Sequence, residues 1–400
     1  MIETAKVLSN GTRSFARQAK WCGLAELFLV GFLLTTQHAR AAWFAADING
    51  QGGPHGRVNE RLLAWSMIDA GSTFYIYFGG VLTGNLYEGY YWGGDWHYIT
   101  IYSNSNAGAS SASATLLNGT YYVAHLDSDR NLRLTSWSPF VGWTTMVLDG
   151  EGQSTNNNLG GDVAAVTFNG KLYVFYREWN YDGSKNRLRY AVFDGSHLTY
   201  QILDGQGGAT NSLADLDAPA AVAAPDGLRV YYYDMDHGFL REAFSPDGLT
   251  WTSFATLDGQ GGPGGRVAGD VGHHPSAIVF NNTVNVFYED RSNAQLRLAH
   301  LNGYWSFYSI DQMDFESYSA PVIHGGAMQV YYTANGLLRA AWGQGPLNFK
   351  TITFDGAGGA LGQSMDLMRT PLAALEFNSA PSVFYQDGIT GVLRNSWWEP

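Results

Sequence analysis

The chain has 400 residues, of which 45% are hydrophobic and 49 are glycine, and its formal net charge is −12. This composition excludes a disordered chain, because it supplies enough apolar side chains to bury a large core. It also argues against a nucleic-acid-binding protein, since 23 basic residues are dispersed among 35 acidic ones and phosphate recognition needs clustered lysine and arginine.

The first 41 residues differ in composition from the rest. Basic residues precede a short apolar run at 27–34, and the sequence ARA at 39–41 has the small-x-small pattern of a signal-peptidase site. We predict a signal peptide over 1–41, a mature domain over 42–400 and a secreted protein, extracellular or periplasmic. A membrane anchor is the alternative, but the apolar run is shorter than the roughly 20 residues that span a bilayer. The only cysteine, Cys22, lies in this segment, so no disulfide is expected in the mature chain.

A glycine-rich loop then recurs along the chain. Its copies are "NGQGG" from Asn49, "DGEGQ" from Asp149, "DGQGG" from Asp204, "DGQGG" from Asp258 and "DGAGG" from Asp355. With the equivalent positions near 102 and 311, which lack the glycines, the repeat positions are about 44 to 55 residues apart, an interval typical of a repeat architecture. We expect each loop to carry the chain sharply from one repeat to the next, which requires a positive φ that glycine adopts without steric cost.

Each repeat contains four predicted strands. A strand of small residues is followed by an aromatic, β-branched strand such as "VYYY" from Val230, then by a Leu-Arg-x-small strand, then by an aromatic strand that ends in the glycine loop. Seven copies of the second strand can be counted. The pattern predicts an all-β fold, a seven-bladed β-propeller of four-stranded antiparallel blades.

The two ends of the chain complement each other. The last repeat stops at "LRNSWWEP", one strand short, whereas "AWFAADING" from Ala42 matches the fourth-strand pattern. We therefore predict that the N-terminal strand closes the last blade and places Trp43 on the outermost strand of the blade that contains Tyr385. Such closure removes the open edge between the first and last blades.

Two local motifs have ordinary structural interpretations. Gly259, Gly261 and Gly264 match GxGxxG, but a strand is predicted to follow, whereas a dinucleotide site needs a helix there. The turns "DSDRN" from Asp127, "DMDHG" from Asp234 and "EDRSNA" from Glu289 have spaced carboxylates that suit calcium, and also suit tight hairpins. We predict no cofactor, with calcium as the open alternative.

A repeated arginine follows the leucine of each third strand. Arginine recognises sugars and carboxylates through its planar donors, but it also stacks on aromatic rings without any ligand. Because it recurs in six repeats, we expect it to lie over a tyrosine of the neighbouring strand or to pair with an inter-blade aspartate. Its copies are Arg133, Arg189, Arg241, Arg297, Arg339 and Arg394.

Catalytic signatures are absent from the sequence: it contains no HExxH, no GxSxG and no metal-spaced histidine cluster. A carboxylate pair for glycoside cleavage leaves no local signature, so this possibility stays open. Polar residues that recur evenly from repeat to repeat favour binding over catalysis.

The segment "GLRVYYYDMDHGFLREAFSPDGLTW" from Gly227 resembles the repeat of the fucose-binding β-propeller lectins and of secreted bacterial propeller proteins. In those lectins an arginine and a glutamate bind sugar hydroxyls and an aromatic ring covers the apolar face. The resemblance implies these roles for Arg229, Glu242 and Trp251. Glu88 and Trp92 form a weaker second set, without the arginine, and the lectins have six blades rather than seven.

These observations predict a secreted, lectin-like propeller that binds a glycan or cell-surface saccharide without catalysis, has no nucleic-acid partner and has no membrane span in the mature chain. Two alternatives remain: a propeller enzyme of the sialidase or glycoside-hydrolase type, suggested by "SPDGLTW" from Ser245, which resembles a shortened sialidase Asp-box, and a protein-binding scaffold.

Overall fold

A computed structural model describes residues 42–103, 111–152, 159–179, 186–211, 215–356 and 372–399. The predicted signal peptide lies outside the described residues. The described residues form seven four-stranded antiparallel sheets, so the prediction of a seven-bladed β-propeller is confirmed. The one helix in these ranges is a short 3-10 turn, Pro263–Gly265.

The blades are numbered in chain order from the first complete one, and each is a simple meander in which consecutive strands pair. Blade 1 comprises β2 (Leu62–Asp69), β3 (Phe74–Gly80), β4 (Leu86–Trp92) and β5 (Asp95–Tyr102). Blade 2 comprises β6 (Ser111–Leu117), β7 (Thr120–Leu126), β8 (Leu132–Ser138) and β9 (Gly142–Asp149). Blade 3 comprises β10 (Leu159–Phe168), β11 (Lys171–Glu178), β12 (Arg187–Phe193) and β13 (Leu198–Asp204).

Blades 4 to 6 repeat this plan. Blade 4 comprises β14 (Leu216–Ala224), β15 (Gly227–Asp234), β16 (Phe239–Ser245) and β17 (Ser253–Asp258). Blade 5 comprises β18 (Val271–Phe280), β19 (Thr283–Asp290), β20 (Gln295–Asn302) and β21 (Tyr304–Gln312). Blade 6 comprises β22 (Ser319–His324), β23 (Ala327–Ala334), β24 (Leu337–Gly343) and β25 (Lys350–Asp355).

Blade 7 joins the two ends of the domain. It contains β26 (Ala373–Phe377), β27 (Ala380–Gln386) and β28 (Leu393–Glu399), and its outer strand is β1 (Ala42–Asn49). Trp43 pairs with Trp398, and Tyr385 lies on β27 of the same sheet, so the predicted closure is confirmed. The first strands of neighbouring blades contact one another around a ring that β26 closes by contacting β2.

The glycine loops lie where the sequence predicts them, between the outer strand of one blade and the inner strand of the next. Gly259 has a φ of 108° and follows Asp258, whose carboxylate accepts a hydrogen bond from the Gly259 amide. A Cβ at Gly259 would lie 2.7 Å from the carbonyl oxygen of Gly238. Both the backbone angle and the close approach therefore require glycine at this position.

The core consists of aromatic and aliphatic layers between blades. Along β15, Leu228, Val230 and Tyr232 pack with blade 3, whereas Tyr231 packs with blade 5. This alternation follows from the period of two residues in a strand, and it assigns each side chain of the blade to one of two inter-blade interfaces.

The recurring arginine belongs to an inter-blade triad with the aspartate of the glycine loop and a tyrosine of the second strand. In blade 4, Tyr232 and Arg241 both contact the buried carboxylate of Asp204, which ends blade 3. The guanidinium of Arg241 also lies over the Tyr232 ring. The other triads are Asp149, Tyr176 and Arg189; Asp258, Tyr288 and Arg297; Asp311, Tyr332 and Arg339; and Asp355, Tyr385 and Arg394. The repeated arginine is thus structural in these five interfaces, as expected.

Candidate functional site

Arg229 is the centre of a charged cluster on the side of blade 4 that faces blade 5. Its guanidinium donates hydrogen bonds to Glu242 at 2.5 Å and to Asp226 at 2.6 Å. The hydroxyl of Tyr231 donates to Glu242 at 3.2 Å. Arg229 and Glu242 are buried, whereas the side chain of Asp226 is 56% exposed. The structure therefore brings two of the predicted site residues together and adds Asp226.

Strand register explains this arrangement. Tyr231 on β15 is paired with Glu242 on β16, and Arg229 lies two residues before Tyr231, on the same face of the sheet. The Arg229 guanidinium also lies 4.2 Å from the ring centroid of Phe244, its cross-strand partner. The two carboxylates raise the pKa of Arg229 although burial acts in the opposite direction, so the guanidinium stays charged.

A groove between blades 4 and 5 opens beside this cluster. Its volume is about 200 Å³, and Pro225 and Asp226 form its blade 4 wall. Blade 5 contributes two turns to the groove. One is at Asn282, and the other is the turn at Gly303 between β20 and β21. Asp226 thus presents an exposed carboxylate to the groove while Arg229 holds it from behind.

Trp251 does not join Arg229 and Glu242. Its ring makes edge contacts with Phe175 and Tyr190 of blade 3, at centroid distances of 5.9 and 5.6 Å. Trp251 precedes β17 and packs into the interface with blade 3, whereas Arg229 lies on the side of blade 5. Sequence order alone does not reveal which face of the blade a turn residue covers.

The aromatic side chain that accompanies the Arg229 cluster is Trp305 of blade 5. Its ring lies 6.0 Å from that of Tyr231, at an interplanar angle of 85°. Tyr304, the preceding residue, is 75% exposed and directly follows the groove residue Gly303. The sequence contains a signal for this pair, because "GYWSF" from Gly303 repeats the position of "GWTTM" from Gly142. The pair belongs to the repeat after the one that contains Arg229, so a comparison within the Arg229 repeat does not find it.

Glu88 occupies in blade 1 the place that Glu242 has in blade 4. It is paired with Tyr77, whose hydroxyl donates to it at 3.1 Å, and it is 5% exposed. The position of Arg229 is taken by Tyr75, two residues before Tyr77. Burial without a cation raises the pKa of Glu88 to about 7, although the Tyr77 hydrogen bond acts in the opposite direction.

Trp92 lies at the outer end of β4, four residues after Glu88. It is 70% exposed, and its ring contacts that of His97 at 5.7 Å. The ring next to the Glu88 pair is instead that of Trp143, which makes an edge contact with Tyr77 at 6.4 Å. As in blade 4, the neighbouring blade supplies the aromatic side chain.

The carboxylates of the hairpin turns make local contacts. Asp234 accepts a hydrogen bond from the His237 amide, and Asp290 accepts one from the Asn293 amide. Among the described residues, no group of three or more histidine, cysteine, aspartate or glutamate side chains is arranged to hold a metal ion. The described ranges also contain no helix long and apolar enough to cross a bilayer.

Several solved structures are similar to this chain at low sequence identity. No family model matches the sequence, and no curated protein matches it. An α-L-arabinanase from Penicillium chrysogenum is 9% identical, with 88% of this chain and 98% of that chain aligned and a TM-score of 0.50. The six-bladed fucose-recognising lectin of Aleuria aurantia is 20% identical over 72% of this chain and 90% of its own, with a TM-score of 0.46. AofleA from Arthrobotrys oligospora is 15% identical over 73% and 84%, with a TM-score of 0.48.

At these identities the likeness shows the fold alone. The class that the fold defines is the seven-bladed β-propeller with a strand of the N-terminal segment in its last blade. The lectin of Aleuria aurantia among these similar structures is described as having a six-bladed fold and recognising fucose.

Proposed function

We propose that this protein is an exported, non-catalytic carbohydrate-binding propeller with a saccharide site in the groove between blades 4 and 5. The observation that carries the proposal is the buried Arg229, which holds the exposed carboxylate of Asp226 at the groove wall and is itself held by Glu242. A carboxylate fixed in this way can accept hydrogen bonds from two adjacent sugar hydroxyls.

The surroundings of the groove fit a pyranose. A pyranose presents an apolar face and a rim of hydroxyls, so its site combines an aromatic surface with charged hydrogen-bond partners. Tyr304 is an exposed aromatic residue directly beyond the groove, and Asp226 is the charged partner. Arg229 and Glu242 are positioning residues in this arrangement, because both are buried behind Asp226.

Export is part of the proposal and depends on the predicted signal peptide. Processing after residue 41 would leave Ala42 as the first residue, directly at the start of β1. Mass spectrometry of the protein recovered from the medium or the periplasm tests this. Recovered protein that still carries residues 1–41 would contradict it.

A glycan array on the mature protein tests the binding function and identifies the sugar. We expect Asp226→Asn to weaken binding most, and Glu242→Gln to weaken it by about 1 to 3 kcal/mol, the cost of losing a charge-assisted hydrogen bond. Asp69→Asn, a change on the exposed edge of blade 1, is the matched control. Unchanged affinity in both groove variants would rule out this site.

An assay of glycoside hydrolysis tests the proposal that the protein is not an enzyme. If the protein hydrolyses chromogenic glycosides at a rate that a single carboxylate substitution abolishes, the enzyme alternative replaces the proposal.

A further inference from the structure

The ring of first strands encloses a cavity that is distinct from the groove. Its volume is about 260 Å³, and most of its wall consists of alanine, serine and proline residues from β6, β10, β14, β18 and β22. Three larger polar side chains interrupt this wall: Asp162 of blade 3, His274 of blade 5 and Tyr318 next to β22 of blade 6. Polar groups from three blades therefore converge on one space.

The first strands of blades 3, 4 and 5 each bulge at the cavity. The strand register shifts between Gly160 and Val163, and at the equivalent places in β14 and β18. Each bulge contains a residue in left-handed backbone conformation: Gly161 with φ 79°, Ala218 with φ 49° and His274 with φ 42°. An L-residue such as His274 adopts this conformation only where the surrounding structure imposes it.

Asp162 is the carboxylate among the three larger polar side chains of the cavity wall. The described part of the chain gives it neither a hydrogen bond nor an ion pair, although it is only half-buried at the cavity wall. By contrast, the neighbouring Asp217 is paired with Arg177, and Glu289 lies 3.6 Å from His274 and 3.4 Å from Arg291. Asp162 is thus a carboxylate at the cavity wall that accepts no hydrogen bond from the described residues.

His274 is the second polar group at the cavity. Its ring lies against Tyr318, at a centroid distance of 4.1 Å, and its Nδ1 lies 3.6 Å from the carboxylate of Glu289, which leaves Nε2 as the nitrogen that could donate to a ligand. The carboxylate of Glu289, with the charges of Asp162 and Asp217, raises the pKa of His274 although burial acts to lower it. The cavity therefore contains a carboxylate acceptor beside a strong donor.

The repeat architecture does not require Asp162. The residues that follow the left-handed position in the three bulges are Asp162 in β10, Pro219 in β14 and Pro275 in β18. Two of the three blades thus build the same bulge with proline. A carboxylate without a partner in a partly buried position costs free energy, which a bound ligand with hydroxyl donors would recover.

We propose that this central cavity binds one neutral monosaccharide, with Asp162 accepting hydrogen bonds from vicinal hydroxyls and His274 and Tyr318 donating to the ring substituents. A neutral ligand rich in hydroxyl groups can both donate hydrogen bonds to Asp162 and accept them from His274 and Tyr318. At about 260 Å³ the cavity is small for a ligand pocket, and its size suits one sugar ring. The alanine and proline wall suits the C–H face of the ring.

Calorimetric titration of the full chain tests this site. The probes are glucose, galactose, mannose, xylose, arabinose and fucose, with (tetrahydropyran-2-yl)methanol as a ring of similar size that lacks the vicinal diol. The titrations use the Asp226→Asn variant, so that the groove between blades 4 and 5 contributes little. We expect at least one sugar to bind and the diol-free ring not to bind.

Variants at the cavity locate the binding. Asp162→Asn should weaken the bound sugar at least tenfold, and Tyr318→Phe, which keeps the ring, should weaken it severalfold. Asp69→Asn should leave it unchanged. The inference is overturned if no sugar binds, if the diol-free ring binds equally well, or if Asp162→Asn and Tyr318→Phe both bind like the parent.

Sugar binding in the cavity can be distinguished from sugar binding in the groove between blades 4 and 5. Binding that Asp162→Asn abolishes and Asp226→Asn spares supports the cavity alone. Binding that shows the opposite dependence supports the groove alone and overturns the cavity.

Discussion

The hydroxyl of Tyr232 in blade 4 donates a hydrogen bond of 2.6 Å to Asp204, the last residue of blade 3. The other oxygen of Asp204 accepts the amide of Gly205, so one carboxylate fixes both the inter-blade contact and the start of the glycine loop. Burial and the adjacent carboxylate raise the pKa of Tyr232 well above its usual value, which keeps the hydroxyl protonated. A tyrosine contacts the corresponding aspartate in four further interfaces, and three of those aspartates also begin a glycine loop.

Tyr232→Phe should therefore lower the free energy of unfolding by about 1.5 to 3 kcal/mol, because a buried carboxylate loses a donor. Urea denaturation of the parent and the variant measures this. Tyr173→Phe is a matched control, since its ring is also buried in the interface of blades 3 and 4 but lies outside the triads. An equal loss in both variants would show that the triad adds nothing beyond packing.

Glutamine substitutions at the two equivalent glutamates should have opposite effects on stability. Glu242→Gln breaks a buried ion pair and should destabilise by about 3 to 5 kcal/mol, since it leaves Arg229 with less compensation. Glu88→Gln removes a carboxylate that burial disfavours, and should stabilise the protein at pH 8 by about 3 kcal/mol.

The pH dependence follows from the raised pKa of Glu88. Between pH 4.5 and 7 the folded state binds more protons at Glu88 than the unfolded state, so stability falls as the pH rises through this window. The effect of Glu88→Gln should therefore be small at pH 4 and full above pH 7. Denaturation curves at pH 4, 6 and 8 decide this, and a stabilisation that does not change with pH would contradict it.

His125 predicts a second pH effect of opposite sign. It is fully buried and bonded to Thr135, and burial lowers its pKa to about 3. The unfolded state then binds more protons between pH 6.5 and 3, so stability falls as the pH decreases, by up to about 1.4 kcal/mol per pH unit. His125→Gln should flatten this slope. An unchanged slope below pH 6 would mean that His125 is not the titrating group.

The glycine loops give a prediction about backbone conformation. Gly259→Ala combines a φ of 108° with contacts of 2.4 Å to the Phe239 ring and 2.7 Å to the Gly238 carbonyl, and should destabilise by more than about 3 kcal/mol. Gly303→Ala has a φ of 75° with nothing near the new Cβ, and should cost only about 1 kcal/mol. Thermal unfolding of both variants compares them, and equal costs would show that the close approach at Gly259 is unimportant.

Much of the fold was predictable because it follows from local chemistry. The period of two residues, the glycine that permits positive φ after Asp258 and the missing fourth strand after Leu393 are all visible in the chain. The recurrence of arginine at one place in each repeat also predicted its structural role. Repetition makes such inferences strong, because every copy reports on the same interface.

The position of each side chain around the ring was decided only by the tertiary structure. Glu242 meets Arg229 because strand register aligns them, and register is visible in the repeat; Trp251 faces blade 3 because the turn before β17 sends it there, which no local pattern shows. Trp305 and Asp162 belong to sites assembled from different blades. Their neighbours are 50 or more residues away in the chain, and only closure of the ring brings them together.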